Sequence, residues 1–481
     1  MTTPQPLTLA GARSRLIRLA ALTLAIYAIF VIAFPLGPNV LRDGGGPASD
    51  LEMLMRPFRW FAPLYVLGVI ALYVLFWRAM RLAVRLAKES PKEAMRLRGL
   101  ALGAGIVCGL VLLWLYPISA IDVLGYVVRG RLWAVYGSSP LVTPPDAFPE
   151  DPYTGFAGEY ADRLSPYGPI WEIAAQIPLR LGALGMVSGV IGMKLLVLAV
   201  YVACAVLIGW GNLWEETRVR GHSTPLMALL FFAWNPLILM QGVGNGHNDL
   251  LMIAFMLLAV VLRQRGRWAG AILAATLAAL VKLPGLFLVP IILIAILRDA
   301  RTWQERALKG LGSTLIFVGA VLAAYSVAGP LPEVFGGIAR EATARGYAPA
   351  SAVRMVVREV IPRALGARLP STMARNLFVV HYAYLILRLW NGRLEVAPAA
   401  FRAYFWLVFL APAFHIWYPL WIIPFAALRL TSLTYWRTWL FGLTAELSIV
   451  NYFVVWRWLL GRWSWGLEGP LAPYWLSLIH I

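Results

Sequence analysis

The chain has 481 residues, 60% of them hydrophobic and only 14% charged, with a mean hydropathy of +0.72. A soluble globular chain is nearer half apolar and a quarter charged, so a soluble enzyme, a coiled coil and a disordered protein are excluded. The 42 Lys and Arg against 23 Asp and Glu give a net charge of +19. The basic residues sit mostly in short runs between apolar segments, which assigns them to membrane lipids and topology, with no nucleic acid as partner.

A crossing helix takes about 20 apolar residues, somewhat fewer inside a bundle. Candidate spans occupy 16–36, 60–80, 99–118, 190–210, 225–241, 249–262, 268–281, 285–297, 311–328, 376–390, 400–414, 418–429 and 434–456. They predict an all-α, polytopic transmembrane bundle of about 11 to 13 helices, with residues 1–481 as a single integral membrane domain. The first run, Leu16 to Leu36, outlasts a signal-peptide core and reads as a retained helix. Cys108 and Cys204 lie in apolar segments and read as packing residues, which leaves no disulfide framework or thiolate metal site.

Arg13 to Arg18, Arg78 to Arg98, Arg218 with Arg220, Arg263 to Arg267 and Arg298 to Lys309 fall on one side if the N-terminus is cytoplasmic. Residues 268–297 lie between two of these basic loops, so the segment must go out and return. Its turn is Lys282-Leu283-Pro284-Gly285, where proline stops one arm and glycine eases the reversal. Residues 400–429 repeat the pattern around His415-Ile416-Trp417-Tyr418-Pro419. Two long loops then face the outside, at 119–189 and 329–375. The second has Val353, Val356, Val357 and Val360 at helical spacing, with Arg354 and Arg358 near the other face. That is the pattern of a surface helix, which serves either interface anchoring or an external phosphate.

With this topology the unusual polar residues share one face. Asp122, Tyr126, Arg129 and Arg131 follow the third span, His247-Asn248-Asp249 precedes the sixth, Lys282 caps one hairpin, and His415 with Tyr418 caps the other. Polar groups at that depth are costly unless they meet a cavity or a partner. Asp122 is either salt-bridged to Arg129 or Arg131, or a general base whose pKa partial desolvation raises. His247 and Asp249 chelate a metal, orient one another, or leave Asp249 or Asn248 to cap a helix. No HExxH or other paired metal spacing accompanies them, so no metal ligand and no certain cofactor is assigned, and a divalent cation stays open. Lys282 either snorkels outward or meets an anion, with lipid phosphate the natural one there. Tyr167 and Trp171, on the stiff segment Ser165 to Glu172, stack on a sugar or sit at headgroup level. Glu446, inside the last span, has no identifiable partner.

In this order the fragments resemble the polyprenyl-phosphate-sugar-dependent glycosyltransferases of superfamily C. They are Asp122 with Tyr126, Gly130-Arg131, Tyr136 to Pro140, Ser165 to Pro169, Gly246 to Asp249, Lys282 with Pro284, and Trp417 to Pro419. The pattern is most similar to the bacterial α-mannosyltransferases that extend lipoglycan mannan cores. Where that family commonly has Asn-Pro-Tyr this chain has Ser139-Pro140-Leu141, which bears on acceptor or sugar more than on chemistry. The resemblance implies an inverting hexosyltransferase in the cell membrane, with the first external loop catalytic and Asp122 as base. It implies a polyprenyl-phosphate sugar as donor, a glycan or glycolipid as acceptor, and Lys282, Arg354, Arg358 and Arg131 as candidates for the phosphate. Tyr126, Tyr167, Trp171, His247, Asn248, Asp249, His415 and Tyr418 are the candidates for the sugars. The competing classes are a polyprenyl-diphosphate glycan ligase or phosphotransferase, and a lipid or solute transporter, although no internal repeat is visible.

Overall fold

Uncharged apolar runs can satisfy their backbone in hydrocarbon only as helices, and helices are what the chain forms. In the computed structural model residues 8–43, 60–211, 224–330, 369–411 and 414–450 are described. Among them no strand occurs beyond an isolated bridge between Pro35 and Leu115. In chain order the helices are α1 (Leu9–Ala33), α2 (Leu36–Asp43), α3 (Phe61–Glu89), α4 (Pro91–Arg96), α5 (Arg98–Leu112), α6 (Asp122–Tyr136), α7 (Pro169–Arg180), α8 (Met186–Trp210) and α9 (Pro225–Ala233). They continue as α10 (Asp249–Gln264), α11 (Trp268–Val281), α12 (Leu288–Asp299), α13 (Trp303–Ala328), α14 (Leu369–Trp390), α15 (Val396–Leu410), α16 (Ile423–Leu428) and α17 (Ser432–Val450).

Among the described residues, five helical stretches are long and apolar enough to cross a membrane: α1, α3, α4 with α5, α8 and α13. A sixth is the pair formed by α9 and the π-helical turn Ile238–Gly244, bent by 56°. Pro236 sits in that break, where it removes a helical donor and crowds the preceding turn. Several other predicted spans are real helices of half length, such as α11 and α15. Proline accounts for most of the shortening: Pro284 follows α11, and Pro419 lies in the short 3₁₀ turn ahead of α16. The predicted out-and-back path of 268–297 is present, with α11 and α12 packed together and joined by the 3₁₀ turn Leu283–Phe287.

The third predicted span ends earlier than expected, at Leu112. The carbonyls freed there are met by the fully buried Lys194 of α8, whose Nζ donates to Leu112 O at 3.4 Å and to Leu115 O. A fresh helix then starts at Asp122, so residues 119–189, expected as an external loop, contain α6 and α7. Gly137 closes α6 in a left-handed conformation at φ 70°, and Pro169 opens α7 at its first turn.

Glu446 does have partners. Its Oε2 accepts from the Tyr65 hydroxyl and from Gln241 Nε2, each at 2.9 Å. The Gln241 carbonyl in turn accepts from Ser119 Oγ at 3.0 Å and from Asn245 Nδ2 at 2.7 Å. The network joins α3, the bent pair and α17 at a depth where unpaired polar groups are expensive. Glu446→Ala strands the Tyr65 and Gln241 donors and is expected to cost about 1–3 kcal/mol, read as a lowered melting temperature in detergent. Glu446→Gln, which keeps an acceptor, should lose less. Wild-type melting of the alanine variant would mean that the network does not hold α17.

Candidate active site

Asp122 is the first residue of α6, where the partial positive charge of a helix start favours a carboxylate. Its Oδ1 accepts a hydrogen bond from the Tyr167 hydroxyl at 2.9 Å. Burial pushes the Asp122 carboxyl up, but His247, Lys282, the Tyr167 hydrogen bond and His415 outweigh it and hold the group below its ordinary value. Burial also pushes His247 down to about 4, so that ring is neutral at neutral pH. Lys282 and the Tyr167 hydroxyl are therefore what keep Asp122 ionised. This corrects the expectation from sequence, in which desolvation raises the pKa of an isolated carboxyl.

Behind Asp122 lies a second carboxylate. Asp249, fully buried at the start of α10, accepts from Lys282 Nζ at 3.0 and 2.9 Å and from the Trp421 indole at 2.5 Å. The anion that Lys282 meets thus belongs to the protein. The hairpin carrying Lys282 is also bonded to the loop carrying Tyr167, through Gly168 N–H donating to Val281 O at 3.0 Å. A β-carbon at position 168 would collide with the Leu280 carbonyl, so glycine is needed for that approach.

These elements enclose a cavity of about 640 Å³ lined by Asp122, Lys282, Ser165, Tyr167 and the aromatic turn after α15. In that turn the Trp417 indole is stacked between two imidazoles, with ring centroids 4.5 Å from His415 and 4.2 Å from His247. Tyr418 stacks on Trp421 at 4.4 Å. Flat aromatic faces of this kind suit the apolar side of a sugar ring, and the Lys282 ammonium lies over the Tyr167 ring, 5.6 Å from its centre.

The structure thus brings Asp122, Tyr167, Lys282, His415 and Tyr418 onto one cavity. His247, Asn248 and Asp249 form the fully buried layer beneath it, and both ring nitrogens of His247 lack a hydrogen-bond partner. Tyr126 and Trp171 are buried against each other at 4.8 Å, with Tyr126 also packed on Tyr167, so they support the wall. Arg131 faces away: it pairs with Asp151 at 2.7 Å and donates to Leu184 O at 2.7 Å. Neither Arg129 nor Arg131 forms an ion pair with Asp122. Arg354 and Arg358 lie outside the described residues. Among the described residues no group of three or more His, Cys, Asp and Glu side chains is placed to hold a metal.

From sequence Arg129 was named only as a partner for Asp122 and Trp417 and Ser165 only as motif residues, and Trp421 and the Ser165–Glu172 pairing were missed. Ser165 donates to Glu172 Oε1 at 2.5 Å, and burial pushes that carboxyl up to about 7. The seven-residue separation of Asp122 and Arg129 would have placed them on one helical face, had 122–136 been recognised as a helix.

A family model described as alpha-(1->6)-mannopyranosyltransferase, N-terminal domain, matches residues 18–298. The chain belongs to this family. Alpha-(1->6)-mannopyranosyltransferase A of Mycobacterium tuberculosis is 24% identical over 275 residues, 57% of this chain and 50% of that protein. Alpha-(1->6)-mannopyranosyltransferase B of Corynebacterium glutamicum is 25% identical over 380 residues, 70% of this chain and 60% of that protein. The chain therefore spans about half the length of the first relative and three-fifths of the second. The family match carries Asp122, Tyr167, His247, Asp249 and Lys282, and ends before the aromatic turn.

Removing one partner of a buried ion pair leaves a bare charge. Lys282→Met in this mannopyranosyltransferase-family chain is expected to destabilise it by about 3–5 kcal/mol. Adding Asp249→Leu should restore most of the loss in thermal unfolding. A double variant no more stable than the single one would show that the pair is not the source.

Proposed function

We propose that the chain is an inverting mannosyltransferase that moves mannose from a polyprenyl-phosphate donor to a glycan or glycolipid acceptor at the external membrane face. The observation that carries this reading is an ionised carboxylate, Asp122, on a cavity walled by aromatic rings and flanked by the external loop. An acceptor hydroxyl attacks the anomeric carbon and gives its proton to Asp122, while the C1–O bond to the lipid phosphate breaks on the opposite face. Tyr167 holds the carboxylate in position by donating to Oδ1, which leaves Oδ2 for the acceptor. Tyr418, on the aromatic turn that lines the cavity, supplies stacking surface for the sugars. The names of the relatives, both alpha-(1->6)-mannopyranosyltransferases, support mannose and an α-1,6 product.

The test is incubation of purified protein with labelled polyprenyl-phosphate-mannose and short mannosides, followed by linkage analysis of the product. Transfer is expected with the monophosphate donor. Turnover only with a lipid diphosphate donor, or movement of substrate without covalent product, would contradict the proposal. Asp122→Asn should lower kcat by about 100-fold or more while leaving insertion intact, as befits a general base. A base must be unprotonated to act, and Asp122 is held below its ordinary value. The acid limb of kcat/KM is therefore expected below the ordinary carboxylate range of about 4, and an acid limb near 6 would point to a different base.

A further inference from the structure

One buried guanidinium, Arg129, lines the cavity without a hydrogen-bond or ion-pair partner among the described residues. Asp122, Gly125 and Arg129 occupy one face of α6, and helical side chains lean toward the N-terminus, which points Arg129 back toward Asp122. Arg129 Nη1 does fold back over Gly125, 3.4 Å from where a β-carbon there would sit. Arg129 is 6% exposed, lines the cavity, and its Nε is buried with no acceptor. Among the described residues it has neither a hydrogen bond nor an ion pair. Glu172 acts on it electrostatically, but that carboxyl is hydrogen-bonded to Ser165 and, held up to about 7, is only partly ionised at neutral pH. The other cation on the cavity, Lys282, is already matched by both oxygens of Asp249.

A buried cation without a counter-ion is unfavourable, and the guanidinium fork fits phosphate oxygens two at a time. We propose that Arg129 receives the phosphate of the polyprenyl-phosphate donor, and that Lys282 serves to neutralise Asp249 rather than to bind the lipid. The assignment rests on the transferase reading of the cavity. In the reaction the departing phosphate takes the C1–O electron pair and gains negative charge, which Arg129 stabilises. The acceptor proton goes to Asp122, two turns away on the same helix face.

The experiment is equilibrium binding of polyprenyl phosphate to the purified full chain in detergent, with polyprenol and inorganic phosphate as comparison probes. Arg129→Gln is expected to weaken polyprenyl phosphate by about 30-fold or more, the loss of a charge-assisted contact, with polyprenol affected less than about threefold. The double variant Asp249→Leu/Lys282→Met, which disturbs the turn carrying Lys282 without touching Arg129, should weaken polyprenyl phosphate clearly less than Arg129→Gln does. Wild-type affinity in Arg129→Gln, or an equal loss in the double variant, would overturn the assignment. So would an Arg129 effect confined to inorganic phosphate. Should Arg129→Gln not fold, Arg129→Lys decides: about a tenfold loss is expected, and unchanged affinity overturns the proposal. If Arg129-dependent binding of the lipid phosphate is found but no mannose is transferred, the inference stands and the transferase reading fails.

Discussion

Burying the Asp249 carboxylate is the constraint on which the site depends. A carboxylate with no solvent access needs several strong donors, and these come from distant parts of the chain. Lys282 arrives on the turn between α11 and α12, and Trp421 on the turn before α16. Once Lys282 is fixed, the end of α11 is fixed, and its Val281 carbonyl captures Gly168, just ahead of α7. The neighbouring Tyr167 is thereby delivered to Asp122. One buried charge thus sets the position of another through a chain of named contacts.

The two carboxylates have different environments and different capabilities. Asp249 spends its oxygens on Lys282 and Trp421 and has no exposure to the cavity. Asp122 makes a single side-chain hydrogen bond, lines the cavity and stays ionised. A base needs a free lone pair facing substrate, so the proposed reaction gives the chemistry to Asp122 and the architecture to Asp249. The same division separates the cations. Arg131 and Lys282 are spent on internal carboxylates, while Arg129 is held buried beside Gly125 with no ion pair among the described residues.

Much of this was legible in the sequence because hydrocarbon is a strict solvent. Composition alone requires helices, and basic clusters on both sides of 268–297 require a hairpin at Lys282, which is present. Polar residues stranded at one depth, Asp122, His247, Asp249, Lys282 and His415, do converge. What was hidden is pairing. Nothing in local spacing says that Lys282 meets Asp249, that Arg131 turns to Asp151, or that Glu446 is held by Tyr65 and Gln241, because those contacts join segments far apart in the chain. Periodicity also failed in the first external loop. The helix at 122–136 is apolar on several sides, since it is buried nearly all round, so its amphipathic signal is weak.

The central claim is that one chamber, built from four distant segments, holds the donor between Asp122 and a buried cation. A structure of the Asp122→Asn protein with polyprenyl-phosphate-mannose bound tests it most directly. The mannose ring is expected against Tyr418, with residue 122 facing the side of the anomeric carbon away from the phosphate and Lys282 still on Asp249. A sugar bound outside the chamber, or a phosphate seated on Lys282 with Asp249 displaced, would contradict it.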